Sequence, residues 1–114
     1  MIEIHTYGRK NIPPDLPDFD MAFDCRSLPN PYRVAGLNRL TGRYPEVQRF
    51  VVDCKAGRDL LAHILASTSG YTNLVIGVYC HGGKHRSVAI AQRLEAPMRH
   101  RGQGVTVKHH SLGA

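Results

Sequence analysis

What is scarce in these 114 residues narrows the field first. No apolar stretch approaches the roughly 20 residues that cross a bilayer, and Met1-Ile2-Glu3-Ile4-His5 has no signal-peptide pattern, so a cytoplasmic chain with no membrane partner is expected. Cysteine is limited to Cys25, Cys54 and Cys80. An odd number, widely spaced and without a CxxC pair, argues against a disulfide framework and against a conventional zinc site. Cys25 and Cys54 then read as small buried hydrophobes. No GxxxxGK[ST] stretch occurs, so P-loop ATPase activity is not expected. Repeats and low-complexity tracts are absent too, and one domain over 1–114 is expected, large enough to bury a core without staples.

Acidic residues run out towards the C-terminus. Residues 1–75 hold nine Lys/Arg against eight Asp/Glu, whereas residues 76–114 hold six Lys/Arg against Glu95 alone, together with five of the seven histidines. Such a basic third suits a phosphorylated small molecule, an inorganic anion or an RNA backbone, and a solvated face with no partner is the alternative.

Hydrophobic periodicity predicts the elements. Alternation over Met1–Tyr7 predicts a short strand near a sheet edge, and the second half of Phe19–Arg26 predicts another. Between them, Gly8, Asn11, Pro13, Pro14 and Pro17 predict a loop. Pro29 and Pro31 make a rigid turn, followed by irregular chain through Gly42. Pro45 opens a helix through Val52, and a second helix is predicted from about Gly57 to Ser69. Asn73–Tyr79 reads as a central strand and Val88–Leu94 as a helix that Pro97 kinks or ends near Ala96. Val105–His109 is a last strand, with a tail over Ser111–Ala114. The order implies an α/β fold, a single small domain with a partly parallel central sheet flanked by helices.

Cys80-His81-Gly82-Gly83-Lys84-His85-Arg86-Ser87 lies at the strand-to-helix turn where such sheets bind ligands. Two adjacent glycines beside the start of a helix make a phosphate-binding loop, because backbone N–H groups and the helix dipole favour an anion there. The spacing also satisfies the C-x5-R-S/T loop of the cysteine phosphatases, which the segment resembles. In that alternative Cys80 attacks phosphorus, Arg86 clamps two oxygens and Ser87 assists the leaving thiolate. Tyr79 stands where those enzymes carry histidine, and no Asp-Pro follows to supply a general acid. Glu95 is the only acid downstream, and upstream Asp53 and Asp59 fall in or beside predicted helices, so no convincing general acid is found. In a purely structural alternative Gly82 and Gly83 permit a tight turn while His85 and Arg86 cap or pair within the fold.

Several motifs in one order carry a wider likeness. Phe23-Asp24-Cys25-Arg26-Ser27-Leu28-Pro29-Asn30-Pro31, Leu40-Thr41-Gly42, the Cys80–Val88 stretch, Arg101-Gly102 and the closing strand together resemble the C-terminal domain of the RNase adapter protein RapZ. The resemblance covers nearly the whole chain. It implies an α/β sensor that binds an amino-sugar phosphate and small RNAs, a regulatory adapter with no cofactor of its own, so that binding is favoured over catalysis while the phosphatase alternative stays open. It puts Gly82, Gly83, His85 and Arg86 around the phosphate, with Cys80, His81, Lys84 and Ser87 in the same loop, and Asp24 and Arg26 facing the pocket. Tyr32 stands where the family's characterised member has histidine, and His81 where it has threonine, so the sugar is open to revision. The family's basic C-terminal extension is largely missing, yet Arg99, Arg101, Lys108, His109 and His110 remain to meet RNA phosphates. Asp24 and Arg26 share a strand face and either pair with each other or serve the pocket. His109 and His110 do not suggest a metal, since neighbours on a strand point apart. A homo-oligomer stays open.

Overall fold

Side-chain alternation decides how the sheet is covered. The computed structural model describes residues 1–112, so Gly113 and Ala114 of the expected tail lie outside the described residues. Strand β1 (Ile2–Gly8) buries Ile2, Ile4 and Thr6 on one face, and β3 (Leu74–Cys80) buries Leu74, Ile76, Val78 and Cys80 on the same side. Strands β2 (Met21–Asp24) and β4 (Val105–His109) add Phe23 and Val105. The opposite face carries the exposed Glu3, Ala22, Thr106 and Lys108.

The strand order is β2-β3-β1-β4 and every pairing is parallel. The chain passes from β2 to β3 through helices α1 (Pro45–Val52) and α2 (Lys55–Ser67), and from β3 past β1 to β4 through α3 (Arg86–His100). Both crossovers move the same way across the sheet, so their right-handedness puts all three helices on one face. Val47, Val51, Val52, Ile64, Ile90, Leu94 and Met98 meet the strands there in one core. Each such side chain contributes about 1.5–3 kcal/mol of burial. Among the described residues no helix is long and apolar enough to cross a membrane.

Three expectations need correction. Strand β1 is not near an edge; it is an interior strand between β3 and β4. Interior parallel strands usually read as unbroken apolar runs because helices cover both faces. Here helices cover one face, so Glu3 and His5 alternate with the core residues as they would on a peripheral strand. Helix α3 does not stop near Ala96; it runs through Pro97 to His100. Leu94 and Met98 are fully buried on either side of Pro97, and that burial offsets the roughly 3 kcal/mol an interior proline costs. Cys54 is half-buried rather than core: it is the N-cap of α2, its Sγ accepting the Gly57 N–H at 3.4 Å, which starts the helix at Lys55, two residues earlier than expected.

Candidate functional site

The carboxyl ends of β1 and β3 are the floor of the site. After β1 the chain keeps running beside the loop that follows β3, with Arg9 N–H donating to Cys80 O at 2.9 Å and Lys10 N–H to His81 O at 2.9 Å. Gly82 and Gly83 lie flat on the end of β1. A Cβ at Gly83, whose φ is +73°, would sit 2.4 Å from Gly8 N, and a Cβ at Gly8 would sit 2.5 Å from the carbonyl carbon of Gly82. Backbone therefore meets backbone, which only glycine on both sides permits. On the far side Gly42 closes against the start of α3. Its N–H donates to Lys84 O at 2.9 Å, and an added Cβ would lie 2.4 Å from His85 O. Gln48 fixes that turn through Nε2, which donates to Gly42 O at 3.0 Å.

Within the loop Cys80 is 2% exposed. Its Sγ accepts the Gly83 N–H at 3.2 Å and lies 3.3 Å from Ser87 Oγ. Arg86 is 8% exposed and Nη1 donates to Arg26 O at 2.7 Å, so one edge of the guanidinium ties α3 to the end of β2. His85 occupies the N-cap position of α3 without a side-chain hydrogen bond to the first turn. Burial lowers the His85 pKa, partly offset by backbone hydrogen bonding at Leu40 and Asn38, so the imidazole is neutral at pH 7.

Above the loop opens a cavity of about 900 Å³. Cys80, His81, Gly82, Lys84, His85 and Arg86 line one side; Lys10, Asn11, Ile12, Pro13 and Pro14 line another. Asn30, Tyr32, His110 and Ser111 complete the wall, and no Asp or Glu is among these residues. An uncapped helix start, three fixed cations and no carboxylate make an environment that favours an anion. The wall from Lys10 to Pro14 was missed from sequence; it was legible only as part of a proline-rich loop in which Lys10 follows Arg9.

Asp24 and Arg26 are not in that wall. Arg26 Nε donates to Asp24 Oδ1 at 3.0 Å and Nη2 to Oδ2 at 2.8 Å, and the guanidinium holds the Asp24 carboxyl below the usual range. Both Arg9 and Arg26 lie over the Tyr79 ring, 5.3 and 5.7 Å from its centroid. Their backbone, not their charge, serves the loop. Cys25, beside Cys80 at the ends of paired strands, is fully buried, and burial pushes its thiol well above the ordinary value.

The five residues expected to meet RNA separate into two groups. Arg99 and Arg101 end α3 at the opposite end of the sheet. Arg99 Nη2 donates to Val105 O at 2.8 Å, while Arg101 donates to Leu65 O and Thr68 Oγ1, both at 2.6 Å. Lys108 is exposed on the helix-free face. His109 Nδ1 pairs with Thr6 Oγ1 at 2.8 Å and His110 Nε2 with His5 Nδ1 at 2.8 Å. Burial lowers the pKa of His109 to about 4 and also lowers those of His5 and His110. Of the acids weighed as proton donors, Asp53 pairs with Arg93, Asp59 with Lys55 and Glu95 with Arg99.

The sequence profile of the RapZ C-terminal domain matches residues 1–113. Among curated relatives, a protein of Oleidesulfovibrio alaskensis is 34% identical over 97% of this chain and 40% of its own length. Others from Finegoldia magna and Desulfitobacterium hafniense are 40% and 42% identical over 82% and 81% of the chain, and 36% and 34% of their own. All three bear the name nucleotide-binding protein. The chain thus spans between a third and two fifths of the length of these relatives.

Proposed function

The chain belongs to the RapZ C-terminal domain family, and from that premise we propose that it is a regulatory binding domain whose Cys80–Ser87 loop takes the phosphate of a small phosphorylated metabolite. The carrying observation is the uncapped start of α3 on the floor of a cavity that has cations and no carboxylate in its wall. Lys84 and the first-turn N–H groups of α3 supply charge and donors. Arg86 presents its remaining N–H groups while Nη1 stays on Arg26 O, so the guanidinium is aimed before a ligand arrives. An amino-sugar phosphate is the member of this class that the family resemblance implies; the loop itself reads only the phosphate.

Cysteine-dependent phosphatase chemistry is the second reading, because Gly83 N–H and Ser87 Oγ surround Cys80 Sγ as a thiolate nucleophile and leaving group would need. Against it stands the wall without an acid to protonate a leaving alcohol. Calorimetric titration with inorganic phosphate and glucosamine 6-phosphate, beside an assay of aryl phosphate release, separates the two. For the binding domain, Cys80→Ser keeps affinity within about twofold, and Arg86→Ala lowers it by roughly tenfold or more, the scale of a charge-assisted bidentate contact. Aryl phosphate turnover that disappears in Cys80→Ser would sink the binding-only reading.

A further inference from the structure

We infer that Cys25 and Cys80 are a peroxide-responsive dithiol and that their oxidation to a disulfide shuts the phosphate loop; the second half rests on the reading that this loop takes a phosphate. A binding domain makes no chemical use of either thiol, yet the fold sets them side by side at the carboxyl ends of paired strands. Strands β2 and β3 run parallel in the register Phe23↔Val78 and Asp24↔Tyr79, and Cys25 N–H extends the ladder by donating to Tyr79 O at 2.8 Å. That bond makes Cys80 the next partner of Cys25. Phe23 and Val78 are buried, and Cys25 and Cys80, two residues further along each strand, are buried on the same side. Neighbouring strands lie about 4.7–4.9 Å apart, within the roughly 4.4–6.8 Å that a disulfide spans between Cα atoms.

The two sulfurs are not equivalent, and the difference orders the chemistry. Cys80 belongs to the cavity wall, whereas Cys25 is 0% exposed and is not part of that wall. A small oxidant arriving through the cavity therefore meets Cys80 first. With hydrogen peroxide, Cys80 Sγ attacks one peroxide oxygen and the O–O bond breaks. The departing hydroxide takes up the thiol proton, which gives a sulfenic acid and water. Cys25 Sγ then attacks Cys80 Sγ, the S–O bond breaks, and the hydroxide leaves as water with the Cys25 proton. Two thiols together lose two electrons to one peroxide, and a dithiol reductant reverses the change. Cys54 stands apart as the N-cap of α2, its Sγ holding Gly57 N–H.

Disulfide formation reaches the loop by two routes. Gly83 N–H donates to Cys80 Sγ at 3.2 Å and Ser87 Oγ lies 3.3 Å from it, and a sulfur turned towards Cys25 gives up both contacts. The residue after Cys25 is Arg26, whose carbonyl accepts from Arg86 Nη1 at 2.7 Å. A shift of Cys25 towards Cys80 thus moves the support that aims the Arg86 guanidinium. Both the backbone of the loop and its clamping side chain lose their alignment together.

Peroxide treatment of the whole chain in a Cys54→Ser background, which keeps a capping side chain on α2, tests this. The expected product is lighter by two hydrogens and yields, on digestion, peptides joined through Cys25 and Cys80. Its affinity for inorganic phosphate, read by calorimetry, should fall roughly tenfold and return on reduction with dithiothreitol. Reduced Cys25→Ala should bind phosphate within about twofold of the parent. After peroxide it should hold Cys80 as a sulfenic acid that a cyclic diketone captures, because the resolving thiol is gone. Peroxide that leaves both parent thiols free, or that oxidises Cys80 while Cys25 stays free, overturns the inference. So does a linked chain whose phosphate affinity stays within about twofold of the reduced one. A reduced chain with no phosphate affinity overturns the phosphate loop and the shutting of it, and the linked peptides then decide the cysteine pair by themselves.

Discussion

Arg86 and Arg101 bracket helix α3, one its first residue and the other just past its last, and the sequence around them is equally basic. Their surroundings differ in kind. Arg101 spends its guanidinium on Leu65 O and Thr68 Oγ1, and Gln103 adds bonds to Thr68 O and Tyr71 O, so the carbonyls that end α2 are closed by side chains from beyond α3. At the other end the start of α3 has no side-chain cap and opens into the cavity. Satisfied polar groups hold a fold together; unsatisfied ones, kept in place by the fold, are what a ligand can use. The same residue type thus does opposite work at the two ends of one helix.

The largest effect belongs to the closed end. Arg101→Ala strips Thr68, which is fully buried, of a charge-assisted partner and is expected to cost about 2 kcal/mol. Thermal denaturation should show a Tm lower by on the order of 10 °C. Arg101→Lys should not restore it, because one ammonium cannot reproduce a two-pronged fork. Phosphate affinity, read by calorimetry at a temperature where the variant is folded, should match the parent. A Tm within a degree of the parent, or a parallel loss of phosphate binding, would break the distinction between the two ends.

Acid attacks the open end. His5, His85, His109 and His110 all lie at or near the cavity, and burial lowers the pKa of each below its ordinary 6.5. Each binds a proton less readily folded than unfolded. Their contribution to stability is whole above about pH 6.5 and is lost as pH falls towards the folded values, about 4 for His109. The expected result is a Tm that declines between pH 7 and pH 4, with hydrogen exchange rising first at the end of β4 and in the loop after β3. The amides at the end of α2 should lose protection later. A Tm that is flat or rises over that range would contradict the assignment of neutral, half-buried imidazoles.

Local pattern carried much of this. The strands and helices came from periodicity, and the Cys80–Ser87 loop from its glycines and cations between an apolar run and a helix. What pattern could not carry was partnership. Nothing local distinguishes Arg101, whose partners lie 33 and 36 residues back, from a cation waiting for RNA. Asp24 and Arg26 read as pocket residues or as a pair, and only the geometry shows the pair. Gly42 read only as the end of an irregular stretch and as part of the Leu40-Thr41-Gly42 motif, although the approach of Ala89 N and His85 O demands glycine there. Strand β1 was misjudged because its alternation reports a sheet face without helices, covered only in part by Phe19 over Gly77 and Tyr7, which interior and peripheral strands share when helices lie on one side alone.

The finest test of the two ends is Lys84, whose side chain is exposed on the cavity wall and whose backbone carbonyl, not its charge, receives Gly42 N–H. Lys84→Ala keeps that carbonyl. Surface changes away from packing and caps stay within about 0.5 kcal/mol, so the Tm should hardly move. One unit charge at about 4 Å in water is worth about 1 kcal/mol, so affinity for inorganic phosphate should fall roughly fivefold. Salt should shrink the difference, because screening at about 0.15 M already reaches across some 8 Å of solvent and an exposed ammonium feels it fully. Calorimetric titrations at low and high salt, paired with melting curves, read both quantities from one preparation. A Lys84→Ala protein that loses stability instead of affinity would place Lys84 with Arg101, as part of the structure that holds the loop rather than part of what the loop offers.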